Sequence, residues 1–144
     1  MRRVNSILRS ELRSLIKRAL ADSKRGKEIA GLIVDNGYYL ELVMCRDKSR
    51  RTGDFSFYHE EIRSIVAAAK RLGHDVVGTF HSHPAALAEP GDSDVASAPN
   101  GSLMLIIDCL SREVALWRVK DNRARKLPLQ LLTHGMKGGR RANQ

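Results

Sequence analysis

The chain has 144 residues, 28% of them charged and only 5% aromatic, with a formal net charge of +9. That length suits one domain with a core of its own, and the composition excludes a disordered or fibrous chain. No apolar run approaches the roughly 18 residues of a membrane span, no signal-peptide core follows Met1-Arg2-Arg3, and a cytoplasmic location is expected.

Residues 5–21 read as an amphipathic helix. Leu8, Leu12, Leu15, Ile16, Ala19 and Leu20 recur at three- and four-residue steps, with Arg and Lys opposite. Residues 28–34 predict a strand, Asn36-Gly37 the type I′ turn of a hairpin, and residues 38–45 the returning strand. Residues 46–56 are polar and lack apolar periodicity. An ordinary surface loop is expected there, with a flap over a site as the alternative. Residues 58–72 predict a second helix, with Ile62, Ile65, Val66 and Ala69 on its inner face and Gly73 past its end.

Residues 75–81 predict a strand, and the nearly continuous apolar run 103–109 a central strand buried on both faces. Residues 113–119 alternate as a half-exposed strand does, Asp121-Asn122 predicts a turn, and residues 124–129 a last strand. From His134 onward Gly, Lys, Arg and Asn dominate. One domain over 1–132 is therefore expected, followed by a basic, disordered tail over 133–144.

Two cysteines, Cys45 and Cys109, lie inside predicted strands without metal-binding spacing, and buried free thiols are expected. The positive charge falls in clusters: Arg2, Arg3, Arg9, Arg13, Lys17 and Arg18; then Lys48, Arg50 and Arg51; then Lys137, Arg140 and Arg141. No aromatic residues interleave with them to stack on bases, which weakens a nucleic-acid reading and leaves a solvated basic surface or an acidic protein partner.

The chemistry concentrates in residues 78–84, which contain His81-Ser82-His83-Pro84, and in Asp94. On a strand, residues two apart face the same side, so both imidazoles leave the strand end together. Taken singly, the histidines are exposed strand-end residues and Asp94 is a helix cap. Taken jointly, two imidazoles and a carboxylate leave the fourth position of a tetrahedral Zn²⁺ open, the pattern of a catalytic zinc and not a structural one. Asp92 is a rival carboxylate; His59, His74 and His134 read as surface residues.

His81-Ser82-His83-Pro84, six residues, then Gly91-Asp92-Ser93-Asp94 resembles the JAMM motif, H-x-H-P-x6-S-x-x-D, of the JAB/MPN+ metalloproteases. That family also carries an upstream E-x-x-G-L, which Glu28-Ile29-Ala30-Gly31-Leu32 matches. One position departs: Gly91 stands where the family has its serine.

The resemblance implies a single α/β domain, a mixed, curved sheet flanked by helices, similar to the cytidine-deaminase-like architecture. It implies Zn²⁺ on His81, His83 and Asp94, with Glu28 as general base to a zinc-activated water, whose pKa falls to about 7. The family's serine serves the oxyanion; with Gly91 in its place, a backbone N–H or Ser93 would have to. The implied substrate is the C-terminal tail of a ubiquitin-like or other small β-grasp protein, cut by a prokaryotic stand-alone JAB domain.

Three alternatives remain. A zinc deaminase needs H-x-E together with P-C-x-x-C, and that combination is not present. An attenuated domain would act as a protein-binding module. A DNA-associated domain similar to the RadC family would share the histidine motif, and the basic charge keeps it in view.

Overall fold

The computed structural model describes residues 5–49, 51 and 55–133. The basic residues Arg2, Arg3, Arg50, Lys137, Arg140 and Arg141, His134 and the tail expected beyond Thr133 lie outside the described residues.

The elements begin with β1 (Asn5–Leu8), α1 (Arg9–Ser23), β2 (Ala30–Asp35), β3 (Leu40–Cys45) and α2 (His59–Arg71). They continue with β4 (Asp75–His83), α3 (Asp92–Ser97), β5 (Ser102–Asp108), β6 (Val114–Lys120), β7 (Arg123–Leu127) and β8 (Leu129–Leu132). Six strands form one sheet in the order β3-β2-β4-β5-β6-β7, and β1 pairs with β8 in a separate ribbon. All neighbours in the large sheet are antiparallel except β4 and β5, which α3 connects as a parallel pair. The fold is thus a single mixed α/β domain.

Both faces of the sheet are covered. On one, α1 lays Leu12, Leu15 and Ala19 over Ile33, Phe80, Leu105 and Leu116. On the other, Met104, Ile106 and Val119 meet Val95 and Ala98 at α3 and the indole of Trp117. β5 is buried on both sides, Leu103 to Ile107 being 5% exposed or less, as its unbroken apolar run predicts. Cys45 and Cys109 are free and buried, also as expected. Burial pushes the Cys45 thiol up to about 11, with Glu61 adding to it, so it stays protonated and inert.

Four expectations need correction. Residues 5–8 are a strand and not the first turn of the helix; Ile7, fully buried, is held by parallel pairing with residues 129–132. No local periodicity reports a partner so far along the chain. The expected last strand is two, because Pro128 has no N–H to continue a ladder and separates β7 from β8.

The Asn36-Gly37 turn is a four-residue loop closed by Asn36 N–H to Tyr39 O at 3.3 Å. Type I′ requires two residues at positive φ, and here only Gly37 (92°) has one. The Asn36 side chain instead accepts from the N–H groups of Tyr38 and Tyr39, at 2.9 Å each, and β3 starts only at Leu40. Asp121 and Asn122, by contrast, both have positive φ (53° and 60°) and make the tight turn expected of them. In α2 only Ala69 of the expected inner face is buried; Val66, at the outer edge of the apolar stripe, is 42% exposed.

The second position of β2, Gly31, accepts no side chain. It pairs with Phe80 on β4, and a Cβ there would run into the Phe80 ring and the Val43 carbonyl. Both neighbours are fixed by the sheet. Gly31→Ala should cost about 1–3 kcal/mol in overpacking and lower the melting temperature by roughly 3–12 °C. A thermal scan with an unchanged midpoint would show that β2 and β4 can part without penalty.

Candidate metal centre

β4 carries His81 and His83 out along the face that holds Ile106, with Pro84 directly after the strand. Asp94 comes from α3, a helix too short to be stable alone; Val95 and Ala98 seat it on Met104 and Ile106. The Gly91 N–H, at the helix entry, donates to Asp94 Oδ2 at 2.8 Å and aims the carboxylate.

The two Nε2 atoms lie 3.0 Å apart. Asp94 Oδ2 lies 3.6 Å from Nε2 of His81 and 3.9 Å from Nε2 of His83. His83 Nδ1 is 2.7 Å from the Leu87 carbonyl. A carbonyl only accepts, so Nδ1 donates to it and Nε2 is the ring nitrogen turned toward its neighbours. Such an outer hydrogen bond is the usual device for fixing a ligating imidazole. The loop supplying it is tied in turn by Trp117 Nε1 donating to Ala88 O at 2.9 Å. The hydrogen bond from His81 holds the Asp94 carboxyl below its ordinary range; burial opposes this, and the Gly91 N–H and the charges of both histidines assist.

This donor set fits zinc. Ligands at the usual Zn–N and Zn–O lengths stand about 3.3 Å apart on a tetrahedron, and the three separations here straddle that value. Among the described residues this is the one group of three or more His, Cys, Asp or Glu side chains that can hold a metal ion. It contributes three donors, one fewer than a closed tetrahedral site uses.

Glu28 sits just before β2, half-buried, and lines the same cavity of about 360 Å³ as His81 and Asp94. The structure thus brings His81, His83 and Asp94 together, with Glu28 lining the cavity that His81 and Asp94 also line. Ser93 does not join them: it is exposed on α3, and its carbonyl accepts from Ser97 Oγ at 2.9 Å. The α3 serine that does line the cavity is Ser97, which the sequence does not single out. Asp92 is exposed at the start of α3, and His59 is exposed at the start of α2.

Gly91 has φ −78°, ordinary for any residue, and a Cβ there would meet only Asp94 Oδ2 at 3.5 Å. The glycine is no backbone requirement.

Phe55 and Phe57 line the cavity. Phe55 and Phe57 meet edge to face at 5.0 Å. Only the aromatic i, i+2 spacing after a polar loop hinted at this wall. The described part of that loop is anchored: Lys27, adjacent to Glu28, places Nζ 2.6 Å from Asp47 Oδ2 and 2.7 Å from the Arg51 carbonyl. Asp47 Oδ1 also accepts from Ser49 and Ser56 N–H, at 2.8 and 3.1 Å. Further basic side chains at this end are paired as well, Arg18 and Arg25 with Asp22 and Arg46 with Glu61.

This sheet and helix arrangement is the fold of JAB/MPN domain proteins. A protein of Desulfitobacterium hafniense (DSY2949) superposes with a TM-score of 0.72 at 18% identity, over 91% of this chain and 94% of that one. A JAB1/MPN domain protein of Archaeoglobus fulgidus does so at 0.57 and 15% identity, over 90% and 99%. The structure described as JAMM, a metalloprotease-like zinc site in the proteasome and signalosome, gives 0.51 at 14%, again over 90% and 99%. No curated protein matches the chain in sequence. The model of the prokaryotic homologs of the JAB domain matches residues 9–120, and the chain belongs to that family. No described helix is long and apolar enough to cross a membrane.

Metal analysis tests the centre directly. The purified protein should hold about one Zn²⁺ per chain, and His83→Ala should lose it while keeping its circular dichroism spectrum. Equal zinc in both proteins would place the ion elsewhere.

Proposed function

We propose that this chain is a zinc-dependent peptidase or isopeptidase that cuts after the C-terminal tail of a ubiquitin-like, β-grasp protein in the cytoplasm. The observation that carries this reading is that Glu28 lines the same cavity as His81 and Asp94. His81, His83 and Asp94 would hold the ion. When bound there, zinc supplies a water of lowered pKa and a Lewis acid for the scissile carbonyl.

The chain's own residues do the rest. Glu28 takes the proton of the attacking water and returns it to the leaving amine. Leu87, through His83, and Gly91, through Asp94, keep the donors aimed. Phe55, Phe57 and Met104 wall the cavity and limit water.

Glu28→Gln keeps shape and removes the proton acceptor. Zinc content should stay at the wild-type level, and cleavage of a ubiquitin-like Gly-Gly fusion should fall about 10²-fold or more. Wild-type turnover in this variant would make Glu28 a structural residue.

A second reading, an attenuated domain that binds its partner without turning it over quickly, is favoured by Gly91. The side-chain donor of the resembled motif is missing, and one such donor is worth about 10²–10³ in rate. Since a side chain fits at Gly91 without strain, Gly91→Ser should raise kcat, leave KM nearly unchanged and keep the melting temperature. A lower kcat on an intact fold would exclude attenuation at this position.

A further inference from the structure

We infer that Ser82 is a positioning residue whose buried hydroxyl anchors Ile29 and thereby sets Glu28 against the histidine pair. This rests on the proposed role of Glu28.

Ser82 stands between His81 and His83 and is fully buried, facing away from them. The β2–β4 ladder runs as far as Ala30 opposite His81. One step further, Ile29 faces Ser82, and an antiparallel pair would exchange two backbone hydrogen bonds there. One is made: Ser82 N–H donates to Ile29 O at 3.0 Å. The other is replaced. Ile29 N–H donates to Ser82 Oγ at 2.9 Å, so a side chain stands in for the backbone carbonyl.

The substitution matters because of what adjoins it. Ile29 is 1% exposed, and no water can take over its N–H. Glu28 is the next residue, the first beyond the Ile29–Ser82 link. The same residue that separates the two imidazoles thus holds the chain that delivers the carboxylate. Cys109, also buried, interacts with the Ser82 side chain. Any movement of Ser82 would shift ligands and carboxylate together; loss of its hydroxyl alone would free only the carboxylate.

That asymmetry supplies the test. Ser82→Ala should keep about one metal ion per chain, exchange its Ile29 amide about tenfold faster or more in the metal-free protein, and cleave the Gly-Gly fusion with kcat lowered about 10- to 100-fold and KM little changed. With Co²⁺ in place of zinc, the paramagnetic shift of the Glu28 amide should change in Ser82→Ala and return in Ser82→Thr. Leu40→Val, at the opposite end of β2 and β3, provides a stability control: a similar loss of melting temperature with kcat intact.

A Glu28 shift and an Ile29 exchange rate equal to wild type in Ser82→Ala would overturn the inference. Should that variant not fold, Ser82→Cys, which keeps volume but weakens the acceptor, is read by the same two signals. If the wild-type protein itself fails to cleave, the hydrolytic reading falls, while exchange and paramagnetic shift still decide the role of Ser82.

Discussion

The register between β2 and β4 is the constraint on which the site depends. Ala30 lies opposite His81, so the start of one strand and the end of the other reach the same rim of the sheet. Because side chains alternate, a slip of one residue would send both histidines to the α1 face, among Leu12 and Leu15. The register has its own determinants. Gly31 leaves room for the Phe80 ring, and β4 is locked on its other side by parallel pairing with β5, whose two faces are both buried.

The third ligand has a different origin. Asp94 belongs to six residues of helix that hydrogen bonding alone would not maintain. Its place is set by packing, through Val95 and Ala98 on the Met104–Ile106 surface, and by the Gly91 N–H at its carboxylate. Core packing on this face of the sheet therefore bears on metal geometry. The histidines follow the ladder and the aspartate follows the hydrophobic contact.

Much of this was legible in the sequence, for reasons that differ by element. β5 declared itself because burial on both faces leaves an unbroken apolar run, and β4 because its two histidines sit at strand spacing ahead of a proline. β1 and β8 were hidden because each is defined by the other, across 124 positions. The hairpin at Asn36 departs from the type I′ expectation because the Asn36 side-chain oxygen takes the N–H groups of Tyr38 and Tyr39. At the site, charged and ligating residue types stand out as letters. Ser82 and Ser97 do not, since a serine takes its meaning from the groups facing it. Phe55 and Phe57 are likewise ordinary apolar residues until the loop folds them over the cavity.

The β1–β8 ribbon has a kinetic consequence. Its strands close a loop of more than a hundred residues, so the entropy of bringing them together is high and local contacts cannot offset it early. On the ribosome, β1 must wait for residues 129–132 to emerge, whereas everything from Glu28 to Asp94 is already available. The segment from Glu28 through β5, which bears the metal ligands and the pairings that set their register, is therefore complete before the ends of the domain can be joined. The ribbon then acts as a late fastening, seating Ile7 and, with it, the start of α1 on a sheet that is already formed.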